Sequence, residues 1–137
     1  MKIRTDFVTN SSSTSFIIIT KEEINKEDFF ELMGITDKSP LLPIFVSIYD
    51  RLVEKMTPIS KEKSYWEHAE GKELEDLLKA DFAEPVARRL AEAKEKGKKV
   101  YVGELSSEED IIESFFCCDS FEVENEKIYF NGLECAW

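Results

Sequence analysis

The chain has one histidine and three cysteines among its 137 residues, and that scarcity removes much of the usual chemistry of catalysis and metal binding. A serine, threonine or cysteine nucleophile needs a base within hydrogen-bond reach, and the lone His68 leaves little to recruit. Two of the cysteines are adjacent, Cys117 and Cys118, and the third is Cys135. Three is too few and too odd a number for a disulfide framework, which fits a reducing cytoplasm. Adjacent thiols point apart on a helix and match no standard zinc spacing, so they read as small buried apolar groups. His68-Ala69-Glu70 matches the first half of the zinc deaminase signature, but the Pro-Cys-x-x-Cys half is missing. The acidic stretches lack the calcium-loop spacing with its central glycine. No metal or cofactor is expected. Long hydrophobic runs are also missing: the longest near the N-terminus, Phe16 to Ile19, is strand-sized, far below the roughly 18 residues of a membrane span. No signal-peptide pattern is readable either.

What is abundant is negative charge. The formal net charge is −11, with 29 acidic against 18 basic side chains. It is unevenly laid out. Residues 86–103 carry six basic and two acidic side chains, whereas residues 104–137 carry one basic and ten acidic. The basic stretch, Arg88, Arg89, Lys94, Lys96, Lys98 and Lys99, is small and interleaved with Glu92 and Glu95, which disfavours direct nucleic-acid binding. Hydrophobic residues still make up 42% of the chain, with ten Phe, so this is a folding composition rather than that of a disordered acidic segment. The length is that of one domain, and residues 1–137 read as a single α+β domain.

Periodicity supplies the elements. Lys2 to Val8 and Phe16 to Thr20 read as a hairpin around a polar loop, the second strand apolar on both faces and therefore central. A helix follows, capped by Thr20 or by Asn25, and stops at Gly34. Another follows Ser39-Pro40 with Phe45, Ile48, Leu52 and Met56 on one side, and reads as the most buried helix. The helical period returns from Lys72 and is kinked or broken at Pro85. Lys98 to Glu104 reads as a strand, and Ser106 or Ser107 opens a short helix. A terminal meander turns at Asn125-Glu126 and again at Asn131-Gly132, the latter a strong hairpin signal. The expected fold is α+β, a mixed, largely antiparallel sheet of about five or six strands packed with helices from the middle of the chain.

In that meander Glu122, Glu124, Lys127, Tyr129 and Glu134 fall on the face opposite Phe121, Val123, Ile128, Phe130, Leu133 and Cys135. Carboxylates two apart on a strand are about 7 Å from each other and repel by about 0.6 kcal/mol in water, which a folded domain tolerates. Such charges keep an edge strand from pairing with another molecule, or they form a docking face. The candidate partner-binding residues are Glu108, Glu109, Asp110, Glu113, Glu122, Glu124, Tyr129 and Glu134, and the expected partner is a protein with a basic surface, such as a nucleic-acid-binding protein. No membrane contact is expected. One alternative is a nucleic-acid mimic that inhibits a nucleic-acid enzyme, resembling phage anti-CRISPR proteins in size and charge. Another is an enzyme using a carboxylate or serine-loop site.

The second candidate is a serine-rich loop, Asn10, Ser11, Ser12, Ser13, Thr14 and Ser15, with Arg4 the nearest cation in sequence. Its hydroxyls either satisfy backbone groups of a turn or offer an anion-binding or modification site. No glycine accompanies it, so it is not a phosphate loop. The opening from Lys2-Ile3-Arg4-Thr5-Asp6-Phe7-Val8-Thr9-Asn10 through Ser11-Ser12-Ser13-Thr14-Ser15-Phe16-Ile17 resembles an N-terminal segment shared by diverse uncharacterised bacterial proteins. The resemblance implies a bacterial or phage origin and carries no activity.

Overall fold

The computed structural model describes residues 13–106 and 121–132. Within them the chain forms β1 (Ser13–Thr20), α1 (Lys26–Met33), α2 (Leu42–Lys55), β2 (Thr57–Pro58), α3 (Ile59–Glu62), a 3-10 turn (Ser64–Glu67), α4 (Gly71–Leu78), α5 (Glu84–Glu95), β3 (Lys99–Ser106), β4 (Phe121–Glu124) and β5 (Ile128–Gly132). The five described strands make one antiparallel sheet in the order β2-β3-β1-β5-β4. The fold is α+β, with its helices drawn from the middle of the chain.

The apolar run Phe16 to Ile19 predicts a central strand, and the order of the described strands shows one. β1 is paired on both sides, and Phe16, Ile17, Ile18 and Ile19 are all buried. Alternation along the strand divides them. Phe16 and Ile18 join Ile128, Phe130 and Leu105 beneath α1 and α2, packing on Phe29, Ile48 and Leu52. Ile17 and Ile19 join Val100 and Tyr129 under the other layer, packing on Leu74, Leu78, Val86 and Leu90. Each face of the sheet therefore has its own helical cover.

Several boundaries differ from expectation for identifiable reasons. Asn25, not Thr20, caps α1: its Oδ1 accepts from the Asp28 N–H at 2.8 Å, while Thr20 stays in β1. Gly34 ends α1 as expected, in the left-handed region at φ 74°, with the Ile35 N–H reaching back to the Phe30 carbonyl at 2.9 Å. Pro43 rather than Pro40 takes the first turn of α2. Pro85 marks a complete break, opening α5 in a first turn where its missing N–H costs nothing. The most buried helix is α5, which hides Val86, Ala87, Leu90 and Ala93, whereas α2 hides Ile48 and Leu52 and leaves Ile44 and Val53 exposed. Ala87 and Ala93 of α5 belong to the core cluster on that face of the sheet. Asn131-Gly132 is not a turn; both residues lie in β5, because β1 and β4 pair with them from either side. The Asn125 turn is present, with its Oδ1 accepting from the N–H groups of Lys127 and Ile128. The expected strand over residues 2–8, the helix after Ser106 and the final strand lie outside the described residues.

Candidate functional site

β4, last in the order of the described strands, places Glu122 opposite Asn131 and Glu124 opposite Tyr129. All four point to the α5 side of the sheet, while Val123 packs with Phe130 on the other. The two-residue period thus assembles Glu122, Glu124 and Tyr129 on one face as the sequence predicts. What the sequence conceals is the occupant of that face. Arg89 stands one turn after Val86 on α5, and its guanidinium lies 4.1 Å over the centre of the Tyr129 ring. Its two terminal nitrogens donate to the two oxygens of Glu124, each at 3.0 Å. Planar, two-pronged geometry of this kind is the stronger form of ion pair.

A second string of bonds continues along the sheet. The Tyr129 hydroxyl donates to Glu122 Oε2 at 2.5 Å and accepts from Asn131 Nδ2 at 2.8 Å. Tyr129 is 4% exposed and Asn131 9%, so the phenol is a buried group with its hydrogen bonds satisfied. Burial pushes the Tyr129 phenol up to about 12, and the Glu122 carboxylate that accepts its hydrogen bond adds to the shift. Arg89 is raised chiefly by its bonds to Glu124. The two carboxylates are therefore bound within the molecule, one by a cation and one by a phenol. Lys127 departs from the expected face: it reaches α1, 3.3 Å from both Asp28 and Glu31, and ties the β4–β5 turn to that helix.

Glu108, Glu109, Asp110, Glu113 and Glu134 lie outside the described residues, as do Arg4, Asn10, Ser11 and Ser12. Ser13, Thr14 and Ser15, read as loop, belong to β1, where pairing with Ser106, Leu105 and Glu104 extends the strand outward from its apolar part. Ser15 is exposed.

Ser15 also lines a feature that the sequence does not announce. β2 pairs with Tyr101 and Val102, and beyond it the following β3 residues, Gly103 and Glu104, border a cavity of about 580 Å³. Phe16, Val102 and Phe82 supply its apolar lining, and Lys55, Glu62, Lys63, Asp81 and Glu104 its charges. One wall is cross-linked by side chains. Asp81 Oδ2 accepts from the Tyr65 hydroxyl at 2.7 Å and pairs with Lys63 at 3.2 Å, while the Lys63 ammonium lies 5.7 Å from the Phe82 ring centre. The Tyr65 hydroxyl bond, ahead of Lys63, holds the Asp81 carboxyl below its ordinary value. Gly103 is required at its position: a Cβ there would fall 2.4 Å from the Phe16 ring and 2.8 Å from the Lys55 carbonyl.

Among the described residues no cluster of His, Cys, Asp and Glu is arranged to hold a metal ion, and no helix is long and apolar enough to cross a membrane. His68 is exposed at the end of the 3-10 turn. No family model, curated protein or solved structure matches this chain.

Proposed function

We propose that the protein is a non-enzymatic acidic interaction module that binds a partner protein through a basic surface on that partner. The supporting observation is how the molecule spends its cations. Arg89 is used on Glu124, Lys79 on Glu75, Asp76 and Glu84, Lys127 on Asp28 and Glu31, and Lys26 on Asp50. Lys94 is spent on backbone carbonyls, those of Trp66 and Ala69. Carboxylates without such a cation include Glu67, Glu70 and Glu73, exposed in sequence around the start of α4. Lysines without an ion pair, such as Lys21, Lys38, Lys61 and Lys99, are outnumbered among the described residues by carboxylates without one, and an acidic field accelerates encounter with a basic partner and rejects acidic ones.

Glu122 and Glu124 are committed to Tyr129 and Arg89, so the free acidic surface is carried by other carboxylates, the α4 entry among them. The test is capture from the native host with immobilised protein, followed by binding measurements on the purified partner over a range of salt. Reversing Glu67, Glu70 and Glu73 to Lys is expected to weaken binding by about tenfold or more and to flatten its salt dependence. A partner whose affinity ignores both salt and these substitutions would refute the reading.

A further inference from the structure

The cavity beside β3 has a lining whose chemistry discriminates between classes of ligand. Its volume, about 580 Å³, lies in the range of small-ligand sites. The cationic side chains on its wall are already occupied: Lys63 is bound to Asp81, and Lys55 has a partner of its own. Asp81 is likewise satisfied, by Lys63 and Tyr65. Among the described residues no ion pair is made by Glu62 at the end of α3 or by Glu104 on β3, two exposed carboxylates lining one cavity from different elements. The cavity's accessible apolar lining is Phe82 and Val102, both partly buried, beside the bare backbone of Gly103, with the Phe16 ring buried behind it.

We propose that this cavity binds an organic cation, a guanidinium or primary ammonium group on a short apolar stem, with Glu62 and Glu104 taking the charge and the aromatic and aliphatic lining taking the stem. The site already displays the interaction on a small scale. Lys63 holds its own ammonium against Asp81 with its charge near the Phe82 ring, the combination of carboxylate and aromatic group that a cation on a carbon stem prefers. An anionic ligand would meet Glu62, Glu104 and Asp81 with no unoccupied cation to offset them. The cation has two sources, a free small amine or an arginine side chain of a bound protein. The proposal does not depend on the α4 acidic surface and stands if that surface binds nothing.

The experiment is a titration of the whole chain at low salt with two probes, agmatine and the blocked tripeptide Ala-Arg-Ala, followed by amide chemical shifts and calorimetry. Saturable binding with shifts concentrated at Glu62, Lys63, Phe82, Gly103 and Glu104 is the expected result. Agmatine binding as tightly as the peptide identifies a free cation as the ligand; binding by the peptide alone identifies a side chain of a partner. The paired substitution Glu62→Gln with Glu104→Gln, both exposed and without internal partners, should weaken the probe that binds by about tenfold or more while leaving the circular dichroism unchanged. Glu95→Gln with Glu126→Gln removes the same charge at exposed positions that belong neither to the cavity lining nor to the α4 entry, and should have little effect. Absence of saturable binding by both probes, or equal loss in the two paired variants, overturns the proposal.

Discussion

Arg89 decides how the acidic end of this chain is used. Read in sequence, it is one cation in a short basic stretch; in space, it is the group that joins α5 to the edge strand. The Arg89 and Glu124 side chains remain 41% and 48% exposed, so solvent screens the pair and its worth is modest despite its geometry. A double-mutant cycle with Arg89→Ala and Glu124→Ala in urea should give a coupling energy of about 0.5–1 kcal/mol, declining with added salt. The single Arg89→Ala change should cost more than the coupling, because the guanidinium also covers the Tyr129 ring. A coupling near zero would mean that the two-pronged pair is ornamental. Glu122 and Glu124 were legible as sharing a face because strand alternation requires only local backbone geometry. Arg89 was not, since it lies 35 residues earlier and its approach depends on how α5 crosses the sheet.

At the scale of elements, β3 is the one whose composition is most constrained. It pairs with β1 along eight residues, with Gly103 opposite Phe16. A strand-interior glycine usually weakens a strand, and here it makes room for an aromatic ring and for the carbonyl that ends α2. Gly103→Ala should therefore destabilise the fold by about 1–3 kcal/mol, since the Phe16 ring must leave a fully buried position and the Lys55 backbone must shift. Thermal or urea unfolding measures it, and a neutral outcome would show that β3 and α2 separate more easily than their packing indicates. The same scale explains which boundaries were readable. Gly34 and the Asn125 turn follow from local conformational preference and fell where the sequence put them. Asn131-Gly132 has an equally strong local preference for a turn, but two flanking strands supply the hydrogen bonds that keep it extended.

For the whole molecule, the most uniform electrostatic property is that of its phenols. All four tyrosines, Tyr49, Tyr65, Tyr101 and Tyr129, have pKa values raised above the ordinary 10, in each case chiefly by burial with acidic neighbours adding to it. Raised phenols favour the folded state while they stay neutral. The stabilisation is complete below pH 10, where folded and unfolded forms both keep their protons, and is lost as pH rises from 10 through about 12, where only the unfolded chain has ionised. The urea midpoint should fall over that interval, with tyrosinate absorbance appearing together with loss of the native signal. Tyr129→Phe should flatten part of the decline. Tyrosinate forming near pH 10 in a protein that stays folded would contradict it.

Composition and periodicity by themselves determined the fold class, the central place of Phe16 to Ile19, the two faces of β4 and β5 and the acid excess, because each follows from the chemistry of near neighbours or from totals. Tertiary structure alone decided which carboxylates are free. Glu122 and Glu124 look alike in sequence to Glu62 and Glu104, yet the first two are held by Tyr129 and Arg89 while the second two face an open cavity. A carboxylate's availability depends on what lies within a few ångströms of it, and over most of this surface that neighbour comes from a distant part of the chain.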